Sequence, residues 1–189
     1  MKLTLIKPPI GSEALYGKVK NFGNFQQPLG LAYIASYVRA EGFDASIIDA
    51  QILNLKIDEV LERIRNEESD VIGLTSNTID FSTICELAEI IKKELDLPIL
   101  IGGPRISALP KDVMKHKCFD VGVIGEGEIP TLNLLKNFNG NFSNLDKIDG
   151  IVYMKKNNIL VKKAILVLID NILTQLRLPY IYYYLFRYR

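Results

Sequence analysis

Short, continuously apolar runs alternate with segments of helical period through the first 140 residues of this chain, and few folds accommodate that rhythm. Leu3–Ile6, Ala45–Ile48, Val71–Leu74, Pro98–Ile101 and Val121–Ile124 are four-residue runs bounded by polar or turn-forming residues. Between them, Leu31, Ile34, Ala35 and Val38 share one face of a helix that Pro28 opens and Gly42 ends. Ile57, Val60, Leu61 and Ile64 mark a second helix to about Arg65, and a third is expected over Phe81–Leu95. A short helix over Leu109–His116 follows, and a fifth opens at Gly125-Glu126-Gly127-Glu128 and runs to about Phe138. Strands with no polar alternation must be covered on both faces, which means a parallel sheet with helices above and below. The fold class expected is α/β, a doubly wound flavodoxin-like sheet in the order 2-1-3-4-5.

Every strand of such a sheet points the same way, so the segments that follow the strands gather at one edge. Strand three ends in Thr75-Ser76-Asn77-Thr78, strand four in Gly102-Gly103-Pro104, and strand five in Gly125-Glu126-Gly127-Glu128. Strand one ends in Pro8-Pro9 and a loop from Ile10 to Gln27, far longer than most connections in compact domains. Any one of these clusters does no more than turn the chain. Four of them beside the strand-one/strand-three crevice point to a ligand site.

Composition narrows the ligand. The 189 residues carry a net charge of +1 and are 48% hydrophobic, which supplies no electrostatic reason for nucleic acid or an anionic membrane as partner. The start, MKLTLIKPPI, is broken by proline too early for a signal sequence or a membrane span. Cys85 and Cys118 lie far apart with no metal or redox spacing, and read as reduced thiols in a cytoplasmic protein.

The domain expected spans residues 1–145, with a β-hairpin extension over 146–163 around Lys156-Asn157-Asn158. Residues 164–189 differ from everything before them. They contain no Gly, Lys or Glu and hold five of the nine tyrosines, a shift that out-of-frame sequence would produce. Ile165, Leu168, Ile169, Ile172, Leu173 and Leu176 also recur at helical spacing, so an amphipathic helix is the alternative.

A dinucleotide needs a short glycine-patterned turn after strand one, and KPPIGSEALYGK is neither short nor patterned. A phospho-receiver needs Asp at the end of strand three, where Thr75-Ser76 stands, and a P-loop is missing from the sequence. A large, mostly neutral cofactor across the sheet edge needs small residues and hydrogen-bonding side chains. Thr75, Ser76, Asn77, Gly102 and Gly103 meet that need.

In order and spacing, PLGLAYIASYVRAEGFDASIIDA, DVIGLTSNTIDFSTICELAEIIKKELDLPILIGGPRISALP, FDVGVIGEGEIPTLNLL and KIDGIVYMKKNNILV resemble the N-terminal cobalamin (vitamin B12)-binding domain of class B radical SAM proteins. The resemblance covers about residues 1–160. It implies that Thr75, Ser76, Asn77 and Thr78 line a slot for the nucleotide tail. It implies further that Gly102, Gly103, Pro104 and Arg105 approach the tail and the corrin edge, and that Gly125, Glu126, Gly127 and Glu128 meet the corrin side chains. The loop before and into Pro28-Leu29-Gly30 would cover the corrin face.

Two departures carry weight. The Asp-x-His-x-x-Gly loop that places an imidazole under cobalt in another class of B12 domain has no counterpart, and His116 is the only histidine. The resemblance therefore implies base-off cobalamin without a histidine ligand, with His116 a surface residue. A radical SAM barrel would also bring a Cys-x-x-x-Cys-x-x-Cys motif for a [4Fe–4S] cluster, and two cysteines cannot supply it. Cys85 and Cys118 are then small buried or half-buried residues. The expectations that follow are a cobalamin-binding domain, stand-alone or a fragment of a class B radical SAM enzyme, with no catalysis by itself and no [4Fe–4S] cluster. The alternatives are a ligand-free module that docks a separate radical SAM chain, and a small enzyme with a pocket of another kind.

Overall fold

The computed structural model describes residues 1–9 and 27–162. The long first loop, from residue 10 to 26, and the tail from residue 163 lie outside the described residues, and with them the expectations attached to both.

Seven strands form one sheet: β1 (Lys2–Lys7), β2 (Asp44–Asp49), β3 (Val71–Thr75), β4 (Ile99–Gly102), β5 (Val121–Val123), β6 (Ile151–Lys155) and β7 (Asn158–Val161). Their order is β2-β1-β3-β4-β5-β6-β7. The first five are parallel, as the uniformly apolar strands require, and β6 and β7 are appended antiparallel. Residues alternate between two cores. Ile6, Ile72, Leu74, Ile99 and Ile101 pack under α2 (Ile57–Asn66) and α3 (Phe81–Leu95). Leu3, Leu5, Val71, Leu100 and Val123 pack under α1 (Leu29–Ala40) and α6 (Glu128–Lys136). Both faces are covered, so the sheet has no wet side among the described residues.

One helix departs from expectation. In place of a single helix over Leu109–His116 there are two short ones, α4 (Pro104–Ala108) and α5 (Pro110–Val113). Proline explains both. Pro104 begins α4 directly after Gly103, because its missing N–H costs nothing in a first turn. Pro110 forces Leu109 out of helical geometry, to φ −133° and ψ 58°, and so breaks the segment in two.

β6 and β7 meet in a two-residue turn, Lys156-Asn157, with Lys155 paired to Asn158. Both turn residues have positive φ, 46° and 66°, the handedness that matches the twist of a hairpin. Among the described residues no helix is long and apolar enough to cross a membrane.

Candidate functional site

The C-terminal ends of β1, β3, β4 and β5 open into a cavity of about 380 Å³, within the range of small-ligand sites. It lies between the sheet and the pair α1 and α6. Leu5, Gly73, Leu74, Leu100 and Val123 form its floor and Leu31 and Ile34 one wall. Polar groups stand around the rim: Lys7 and Gln51 near β1 and β2, Thr75, Asn77 and Asp80 after β3, and Glu126, Glu128 and Thr131 after β5.

Of the residues singled out from the sequence, Gly30, Thr75, Asn77, Gly102, Gly103, Gly125, Glu126, Gly127 and Glu128 line this cavity. Leu29, Ser76, Thr78, Pro104 and Arg105 do not. Leu29, Thr78 and Pro104 are exposed. Arg105 holds its guanidinium 5.1 Å from the centre of the Phe81 ring, a cation–π contact on the opposite side of the sheet edge. Ser76 is 1% exposed, and its main chain ties two loops together. Its N–H donates to the Gly102 carbonyl and its carbonyl accepts from the Arg105 N–H, at 3.0 and 3.2 Å.

Gly103 shows why that approach needs glycine. Its φ is +98°, and a Cβ there would stand 2.7 Å from the Ser76 carbonyl oxygen and 2.9 Å from Thr75 Oγ1. Ser107 makes the next tie. Its hydroxyl donates to the Gly103 carbonyl and accepts from the Gly125 N–H, each at 3.0 Å. The loops after β3, β4 and β5 are thus bonded to one another directly.

Sequence reasoning missed Lys7, Gln51, Gly73, Asp80 and Thr131 as lining residues. Gly73 sits inside an apolar strand, and a Cβ on it would meet Leu5 Cδ2 at 2.6 Å, so its lack of a side chain deepens the floor. Its presence mid-strand was the available signal, since glycine there marks a close approach. Asp80 precedes α3 and accepts from the Asn77 N–H at 2.6 Å and from the Asn77 side-chain amide at 3.3 Å. Burial pushes its carboxyl above the ordinary value, opposed by those bonds. Glu128 is 7% exposed at the first turn of α6, and its Oε2 has no hydrogen-bond partner among the described residues. Burial raises its pKa, and the Glu126 charge adds to the rise, against its own backbone N–H.

His116 lines no part of the cavity. It stands on the other side of the molecule, exposed, with Nδ1 3.7 Å from Cys85 Sγ and its ring edge-on to Phe81 at 5.1 Å. Cys85 is half-buried and Cys118 buried. Burial raises both thiols, Cys118 to about 12, which leaves them protonated and unreactive at neutral pH. No group of three or more His, Cys, Asp or Glu among the described residues could hold a metal ion.

Residues 18–135 match the model of the B12 binding domain. An uncharacterized methyltransferase of Pyrococcus horikoshii is 34% identical over 133 residues, 68% of this chain and 28% of that protein. The anaerobic magnesium-protoporphyrin IX monomethyl ester cyclase of Rubrivivax gelatinosus is 30% identical over 158 residues, 81% of this chain and 28% of that protein. Among solved structures, the cobalamin-dependent S-adenosylmethionine radical enzyme OxsB with aqua-cobalamin bound superposes with a TM-score of 0.72 at 20% identity, over 90% of this chain and 23% of that one. The radical S-adenosylmethionine methyltransferase TsrM of Kitasatospora setae, with cobalamin and a [4Fe-4S] cluster bound, gives 0.69 at 17% identity, over 88% and 29%.

These relatives correct one expectation. The missing cluster cysteines implied a chain that is not an enzyme, whereas the relatives are named as methyltransferases and a cyclase, all enzymes. The inference failed because it treated one domain as the unit of catalysis. The chain spans 28% of the length of the two relatives described above, so cluster cysteines missing from this stretch say nothing against a catalytic role for the whole.

Proposed function

Since the chain belongs to the B12-binding domain family, we propose that it holds cobalamin on the C-terminal rim of the sheet, as the cobalamin-binding part of a radical SAM type of enzyme. The observation that carries this reading is the cavity itself: apolar below, deepened at Gly73, and ringed by neutral and acidic groups with Lys7 the one cation among the described lining residues, where a phosphate-rich cofactor would need several.

The residues fit the group. Thr75, Asn77, Gly102 and Gly103 would hold the nucleotide tail over the Leu5–Gly73–Leu100 floor, and Gly125–Glu128 would meet the corrin periphery. Ser76 and Arg105 act as positioning residues, lacing the loops after β3 and β4. Leu29 and Gly30, with Thr78 and Pro104 outside the lining, would border the macrocycle. When bound, cobalamin supplies a redox-active cobalt centre. His116, the only histidine in the sequence, is turned to Phe81 and Cys85, so the base-off state that the resemblance implies would draw no imidazole from this stretch. The free thiols accord with the cytoplasm.

A radical SAM unit, in the same polypeptide or a separate chain, would supply the iron–sulfur cluster and dock over the rim. Exposed Leu29, Ile52, Ile79 and Leu109, one from the segment after each of the first four strands, favour that placement.

Gly30 offers the test. It lines the cavity from the first turn of α1, and a Cβ there meets nothing within 4 Å. Gly30→Phe should fill the mouth at no cost to the backbone. Purified protein is mixed with hydroxocobalamin and desalted, and the retained corrin absorption is measured. Retention by the wild type and its loss in Gly30→Phe, with an undiminished melting temperature, is expected. No retention by the wild type would sink the proposal.

A further inference from the structure

Glu128 is an expensive residue for its place. A carboxylate oxygen with no hydrogen-bond partner, on a side chain that is 7% exposed, costs stability unless something outside the protein completes its bonding. It faces the cavity from the nine-residue helix α6, beside Glu126. Lys7 is the only cation among the described lining residues, and its ammonium lies 3.7 Å from Asp49. Lys7 stands at the end of β1, three strands away from the end of β5, or about 14 Å at the usual strand spacing. Among the described residues, an anionic group brought to Glu128 would meet two carboxylates and no cationic side chain nearby. A primary amide would meet a hydrogen-bond acceptor for its N–H groups, and a donor for its carbonyl whenever Glu128 holds a proton.

We infer that Glu128, assisted by Glu126, is a specificity-determining residue that selects a neutral carboxamide over a carboxylate on the ligand's periphery. This rests on the cobalamin reading above. The corrin ring is rimmed with primary amides, and incompletely amidated corrinoids carry carboxylates in their place. The site therefore discriminates the finished cofactor from its acid forms by charge at one position.

The test uses the full chain at pH 7.5 and four probes: hydroxocobalamin and its b-, d- and e-monocarboxylic acids, each measured by equilibrium dialysis. At least one monoacid should bind 10-fold or more weakly than hydroxocobalamin. In Glu128→Gln, which keeps an acceptor and removes the charge, that gap, read as the ratio of the two dissociation constants within the variant, should shrink below 3-fold. Glu126 is exposed, so Glu126→Gln cannot unsettle the fold and should narrow the same gap in part. Equal binding of all four probes by the wild type, or a gap that survives both variants, overturns this inference and leaves cobalamin binding standing. Failure of the wild type to bind hydroxocobalamin overturns both readings.

Discussion

At the scale of single residues, the rim of the cavity carries groups that cost the fold stability. Glu128 is the clearest case. Its raised pKa means that the proton favours the folded state, so its contribution is complete below the ordinary value of 4.5 and is lost as pH rises through the raised one. Glu128→Gln lacks that dependence. Without ligand it should melt higher than the wild type at pH 7.5, worth on the order of 1 kcal/mol, because the amide removes a desolvated charge although it still buries a polar atom. The difference should shrink as the pH is lowered toward 4.5. A constant difference across that range, followed by thermal melts, would mean that Glu128 is already solvated. Gly103 is under the opposite pressure. Its positive φ and the 2.7 Å approach to the Ser76 carbonyl admit no side chain, so Gly103→Ala should cost about 1–3 kcal/mol in chemical denaturation. The glycine clusters were legible as special positions in the sequence. Which of them face the cavity was not, because that depends on the face of the sheet on which α1 and α6 settle. Arg105 and Gly103 stand two residues apart and look to opposite sides.

Among the elements, strands and long helices were readable because apolar runs and helical period report burial directly. Phe81–Leu95 was expected and is found over those residues. The short helices were not readable from period, since α4 and α5 are set by where Pro104 and Pro110 fall. The β6–β7 hairpin was legible from its turn chemistry, yet the turn is not optimal. Lys156 adopts φ 46° although lysine has no special tolerance for the left-handed region. The double substitution Lys156→Asn with Asn157→Gly should stabilise the domain by about 0.5–1 kcal/mol, through a turn that prefers this shape. A lower melting temperature would show that the Lys156 side chain makes a contact worth more than the strain.

For the whole molecule, a ligand that binds only the folded chain must stabilise it by mass action. At a hydroxocobalamin concentration 100 times its dissociation constant, the gain is about 2.7 kcal/mol. For a domain of this size that is a rise of roughly 5–10 °C in melting temperature. Gly30→Phe should melt at the same temperature with and without the cofactor. A rise of equal size in that variant would place the binding site elsewhere.

The appended hairpin has a directional consequence. A chain leaving α6 is at the edge of the sheet opposite the cavity, where Lys136 pairs with Glu41 just past the end of α1. β6 starts back at the cavity edge, where Ile124 donates to the Gly150 carbonyl, and descends; β7 ascends again. Lys162 then donates to the Ile151 carbonyl, level with Val123 at the rim. Two added strands, an even number, set Lys162 beside the cavity. One strand more or fewer would send whatever follows Lys162 to the far side of the sheet. The parity of the hairpin thus brings the chain at Lys162 to the same edge of the sheet as the cavity.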